Sequence, residues 1–187
     1  MDTNKPISLH SVSEAVRVCA NQIHLCLEKS SGDPVPLRSE ITAQIQTLLR
    51  LPRLFEAGQK RPSAHADAAC MLYFDPCLMI AMAKSHAGQH ESAHNHGAWL
   101  ATAVYEGEVQ YRGFERMDDG SRELHADLRI AEDRIMRPGD VALTAPPPHD
   151  IHETLSITDN IMMVVTGGNF ATLRNYYDVG KKCYSVR

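Results

Sequence analysis

Gly88-Gln89-His90-Glu91-Ser92-Ala93-His94-Asn95-His96-Gly97-Ala98-Trp99-Leu100, running on to Val104-Tyr105-Glu106-Gly107, is the stretch that decides how this chain folds. A single residue separates His94 from His96. On a β-strand alternate side chains share a face, so both imidazoles point the same way. Two nitrogens so placed can hold two adjacent corners of a metal ion, and a third donor must come from elsewhere. Further along, His149 and His152 follow a Gly139-Asp140 turn and the run Pro146-Pro147-Pro148. Both are candidates for the third corner. Three neutral imidazoles leave a divalent metal its full charge and open positions for a substrate.

Working outward, the chain from about residue 69 alternates short apolar segments with Gly, Pro, Asp and Asn turns. Strands are predicted at Cys70–Phe74, Leu78–Lys84, Trp99–Tyr105, Val109–Arg116, Leu124–Ile130, Arg134–Arg137, Val141–Thr144, His149–Leu155 and Asn160–Thr166. Asp118-Asp119-Gly120 reads as a hairpin turn. Many short strands at regular spacing point to a β-sandwich or barrel, and Met162-Met163-Val164-Val165 reads as a strand buried on both faces. Residues 1–66 read as helical. Ser11 and Glu14 make a capping box, and Val12, Val16, Cys19, Ile23 and Cys26 recur on one helix face up to the break at Ser30–Pro34. A second helix is predicted from Leu37–Ser39, with Ile41, Ile45, Leu48 and Leu49 as its stripe and Pro52 closing it. The polar and aromatic tail, 171–187, is expected to be irregular cover over one end of the barrel. One domain is expected, divided as 1–66 helical, 69–170 barrel and 171–187 tail.

The 187 residues carry 19 Lys and Arg against 23 Asp and Glu, a net charge of −4, which excludes a basic nucleic-acid footprint. No apolar run is long enough to span a bilayer, and the first residues show no secretory pattern. Five dispersed cysteines without a CxxC pair fit reduced thiols and a cytoplasmic setting. Ten histidines are the unusual feature, and seven lie between His86 and His152.

Gly88, five residues, His94-x-His96, three residues, Leu100, six residues, Gly107 resembles the first cupin motif. The second motif is resembled by Gly139 to His152, with Pro147 five residues before the histidine. That register favours His152 over His149. The motifs normally carry Glu where Leu100 stands and Asn where Ser156 stands, so a three-histidine site is implied. His94-Asn95-His96-Gly97-Ala98-Trp99, Pro148-His149-Asp150-Ile151-His152 and Gly167-Gly168 are similar to the cysteine dioxygenase-like branch of cupins. The resemblance implies a mainly β fold, a double-stranded β-helix (jelly-roll barrel) with an N-terminal helical region. It implies Fe(II) on His94, His96 and His152, with Zn, Ni or Mn as other candidates, and O2 addition to a small metal-chelating substrate, a thiol or mercapto acid first. The partners are then substrate and O2, with no nucleic acid or membrane; a homo-oligomer is compatible.

The equipment that selects a thiol departs from the branch. The Ser-x-His-x-Tyr relay after the third ligand aligns with Met162, Val164 and Thr166. Residues 68–78 contain no Arg to grip a substrate carboxylate, and the cross-linking cysteine would fall near Ala101. Arg112 is the candidate replacement, pairing with a carboxylate if it faces inward, but alternation lets only one of Tyr111 and Arg112 do so. Trp99, His149 and Thr166 complete the candidate substrate-side residues, with Tyr73, Tyr176 and Tyr177 as further hydroxyl donors. Two rivals stand beside a dioxygenase. One is a cupin metalloenzyme with a non-thiol substrate, either a C–C cleaving dioxygenase or a Zn or Ni lyase, isomerase or hydrolase. The other is a non-catalytic small-molecule-binding cupin.

Overall fold

The structure is a computed structural model, and it describes residues 8–168 and 173–187. Helix α1 spans Leu9–Lys29, α2 spans Arg38–Leu49 after a 3-10 turn at Val35–Leu37, and α3 is the short Leu54–Ala57. The predicted apolar stripes are the ones that pack: Val12, Val16, Cys19, Ile23, Ile41, Ile45 and Leu48 are all buried. Helix α1 starts earlier than the Ser11–Glu14 pair suggests. Ser8 is its N-cap, and its side-chain oxygen accepts from the Ser11 N–H at 3.1 Å. The same hydroxyl chemistry was available one turn upstream.

Twelve strands follow among the described residues. They are β1 (Gln59–Arg61), β2 (Ala68–Phe74), β3 (Leu78–Ser85), β4 (His90–His94), β5 (Leu100–Glu106), β6 (Val109–Arg116), β7 (Leu128–Met136), β8 (Val141–Thr144), β9 (His152–Ser156), β10 (Asn160–Gly167), β11 (Asn175–Asp178) and β12 (Cys183–Val186). They form two six-stranded sheets in the orders β1-β2-β3-β10-β5-β8 and β12-β11-β4-β9-β6-β7. Every pairing is antiparallel. The four-strand runs β3-β10-β5-β8 and β4-β9-β6-β7 are the two faces of a jelly roll. The fold is a double-stranded β-helix.

Alternation explains why the first sheet reads as nearly continuous apolar sequence. Leu78, Ile80 and Met82 of β3 and Ile161, Met163 and Val165 of β10 pack in one core with α1 and α2. Met79, Ala81, Met162 and Val164 line the barrel interior instead. A sheet covered on both faces has no polar side. The turn from β5 to β6 needs glycine at 107: its φ is +80°, and a Cβ there would strike the Asp159 carbonyl and Asn160.

Four sequence expectations are corrected. Residues 59–61 are an edge strand within the stretch read as helical. The segments Leu124–Ile130 and Arg134–Arg137 merge into the single strand β7, whose Glu132 and Asp133 stay in the ladder with β6. Asp118-Asp119-Gly120 lies inside a longer connection, where the Asp118 carboxylate accepts from the N–H groups of Gly120 (3.1 Å) and Asp127 (2.8 Å). Residues 171–172 of the tail lie outside the described residues, and 173–187 is not irregular cover: β11 and β12 extend the second sheet beyond β4, and Tyr177 and Tyr184 pack over Phe114 and Ile151. Among the described residues, no helix is long and apolar enough to cross a membrane.

Candidate metal centre

His94 is the last residue of β4 and lies directly opposite His152, the first residue of β9. Strand pairing alone therefore brings two imidazoles together. His96 arrives differently. The strand ends at His94, so simple alternation does not place His96. Its loop turns at Gly97 (φ +71°) and is pinned by Asp150, whose Oδ2 accepts from the backbone N–H of His96 at 3.0 Å and of Gly97 at 2.7 Å. Asp150 has no solvent exposure. Desolvation raises its carboxyl pKa, against the lowering by these N–H donors.

The three rings converge. Their candidate ligand atoms lie within 4.8 Å of one another. Centroids are 4.7 Å apart for His94–His96, 4.7 Å for His94–His152 and 5.0 Å for His96–His152. The Nε2 atoms of His94 and His96 are 3.0 Å apart. With metal–nitrogen bonds of about 2.1 Å, neighbouring donors sit about 3.0 Å apart in an octahedron and about 3.4 Å in a tetrahedron, so the spacing fits a shared metal. His94 Nδ1 is 2.9 Å from the Ser92 carbonyl, the partner that makes Nδ1 the protonated nitrogen and leaves Nε2 its lone pair. His152 Nδ1 is buried and has no hydrogen-bond partner among the described residues. Desolvation, joined by neighbouring positive charge, lowers the pKa to about 4 for His94, to about 2 for His96 and well below the usual value for His152. All three are neutral at pH 7, the form that binds metals.

The histidines open on a cavity of 260 Å³ inside the barrel. One wall is apolar, made by Met79, Ala81, Met162 and Val164; Thr102 and Thr154 add hydroxyls, and Glu91 and Arg174 add charge. Tyr176 stacks on His94 at 5.6 Å between centroids, and Tyr111 stacks behind His152 at 5.9 Å. Glu91 Oε2 lies 3.8 Å from His94 Nε2 while Oε1 lies 3.2 Å from His65 Nδ1. Burial raises the Glu91 carboxyl pKa; the charges of His65, Arg174 and His90 oppose that. A wider outer pocket shares His65, Glu91 and Arg174 with the cavity and adds Arg187.

No family model and no curated protein matches the sequence. Among solved structures, the chain is similar to an RmlC-like cupin from Shewanella frigidimarina, 20% identical over 61% of this chain and 86% of that one, with a TM-score of 0.46. It is similar to KdgF from Halomonas sp. at 16% identity over 61% and 91% of the two chains, TM-score 0.45. An oxalate oxidase matches at 19% identity over 49% and 42%, TM-score 0.38. All three are weak likenesses, so the site is read from the chain's own residues.

Several sequence candidates lie away from the cavity. Arg112 points to the outside of the barrel, its guanidinium bonded to Asp133 at 3.0 Å and Glu153 at 3.1 Å. Tyr111 is the inward partner of the pair and is buried. Trp99 is buried beside a surface pocket formed with α1 and the proline run, and its carbonyl accepts from the Thr166 hydroxyl at 2.8 Å. Thr166 is thereby committed to structure. His149 is exposed and lines a shallow pocket behind Tyr111. Tyr73 donates to Asp75 at 2.6 Å, and Tyr177 is in the core. Of the three tyrosines singled out as donors, Tyr176 alone borders the site.

Sequence reasoning missed three residues. Asp150 carried a signal, an acid set between His149 and His152 beside apolar Ile151. Glu91 also did, standing inside the first motif. Arg174 had none: it comes from the tail, and only the pairing of β11 with β4 brings it over the histidines.

Proposed function

We propose that the protein is a mononuclear non-haem Fe(II) dioxygenase that adds O2 to a small anionic substrate, a mercapto acid first. One observation carries the reading: three neutral imidazoles converge at a small cavity whose mouth holds Arg174, a guanidinium that makes no ion pair with any described residue. The balance is R–SH plus O2 giving R–SO2H, with both oxygen atoms entering the product. A bound Fe(II) would supply Lewis acidity and O2 chemistry.

The chain's own residues do the rest. His94, His96 and His152 would hold the metal, with Asp150 fixing the His96 loop. Arg174 supplies the carboxylate grip absent from residues 68–78, since a guanidinium near a dry wall favours a forked carboxylate partner. The Met79, Ala81, Met162 and Val164 wall excludes water and limits size. That β10 wall offers no imidazole or phenol, which favours a substrate needing no protein acid on that side and keeps a non-thiol acid as the second reading.

The test is O2 uptake by the Fe(II)-loaded protein with mercapto acids, hydroxy acids and β-dicarbonyl acids. Uptake stoichiometric with one class supports the proposal. Turnover under strict anaerobiosis would instead indicate Lewis-acid chemistry with Zn or Ni, and a ligand bound without turnover under any metal a binding protein.

A further inference from the structure

The geometry points to Glu91 as a fourth protein donor to the metal of the three-histidine site. The inference rests on the metal site proposed above and extends it. The first-motif position usually held by a carboxylate is here Leu100, an apolar side chain buried in β5. Glu91 stands on the other side of the histidine pair, three residues before His94. On a regular strand that odd spacing would put the two side chains on opposite faces. The β4–β9 register shifts between Glu91 and His94, and this irregularity turns Glu91 into the cavity. Bulges next to functional sites commonly re-aim one side chain in this way.

Glu91 is the only carboxylate among the described residues that line the cavity. Its Oε2 is 3.8 Å from His94 Nε2. Neighbouring donors on one metal lie about 3.0–3.4 Å apart, and Glu91 stands outside the converging group of His94, His96 and His152, so coordination requires the side chain to swing towards that group. A glutamate has the side-chain torsions to do so. Oε1 can stay on His65, 3.2 Å away, in the arrangement usual for a ligating carboxylate held by an outer partner. Four protein donors would leave two positions of a six-coordinate metal, one for O2 and one for a single substrate atom. The substrate carboxylate then belongs on Arg174 and not on the metal.

The test uses Co(II) as probe on the full chain. Visible spectra and competition-derived Kd values are compared for wild type, Glu91→Gln and His65→Ala. Coordination by Glu91 predicts at least tenfold weaker binding and an altered ligand-field spectrum for Glu91→Gln. For His65→Ala it predicts an unaltered spectrum and a smaller loss. Identical spectra and Kd for wild type and Glu91→Gln would overturn the assignment. Wild type that binds neither Co(II) nor Fe(II) would overturn the metal site itself, and the assignment with it. If Glu91→Gln fails to fold, infrared difference spectra of wild type labelled with ¹³C-glutamate replace it. A Co(II)-induced shift of a labelled carboxylate band supports coordination, and its absence overturns it.

Discussion

Asp150→Ala should both destabilise the protein and loosen the metal. The carboxylate is fully buried and accepts two backbone N–H bonds, at 3.0 Å from His96 and 2.7 Å from Gly97. Bonds to a charged acceptor contribute about 1.5–3 kcal/mol each, and each buried donor left unpaired costs about 1–3 kcal/mol. The raised pKa of Asp150 shows that burial already penalises its charge, which offsets part of this. A net loss of about 3 kcal/mol is expected, a large share of the roughly 5–15 kcal/mol that holds a domain folded. At about 2–4 °C per kcal/mol for a chain of this size, Tm should fall by roughly 6–12 °C in calorimetry. Freed from its anchor, the His96 loop should also weaken Co(II) binding about 10–100-fold, the usual effect of removing an outer support. An Asp150→Ala protein with unchanged Tm and unchanged Co(II) affinity would refute the claim that this carboxylate builds the third corner of the site.

Arg174→Met should raise KM for a carboxylate substrate by roughly tenfold or more, the scale of a lost charged partner, while leaving metal content unchanged; steady-state kinetics and metal analysis check both. Arg112→Ala should leave KM unaltered and change stability little, since its ion pairs are on the solvated exterior of the barrel; urea melts check the second outcome. Asp75 is a pH probe. Desolvation acts to raise its carboxyl pKa, but bonds from Tyr73, Cys77 N–H, His24 and Leu78 N–H hold it at about 2. A depressed carboxylate stabilises the fold above its unfolded pKa, so about 2 kcal/mol should be lost as pH falls from about 4 to 2. Asp75→Asn should flatten that limb of a stability–pH curve. Gly107→Ala should destabilise strongly, by about 2 kcal/mol or more, because φ is +80° and the added Cβ meets backbone; a thermal melt would show it.

Much of the barrel was legible because a half-buried strand writes its burial into the chain with period two. Val109–Arg116 and Val141–Thr144 match the observed strands residue for residue, and the α1 and α2 stripes name their own cores. The misses have physical causes. Strands β11 and β12 are short, polar and aromatic, and they exist because β4 offers them a free edge. The pairing of His94 with His152 depends on a register that no local pattern encodes. Tyr111 and Arg112 are adjacent on one strand, and only the packing of the sheet decides that Tyr111 faces in and Arg112 out. Arg174 is the strongest case: its role depends entirely on where the tail returns.

Anaerobic titration of the wild-type protein and His152→Ala with Fe(II), followed by nitric oxide and electron paramagnetic resonance, tests the central claim most directly. The account predicts one iron per chain and a high-spin iron–nitrosyl signal for wild type, with both lost in a His152→Ala protein that is still folded. Wild type that binds no iron, or a variant that keeps one iron per chain with the same signal, would contradict it.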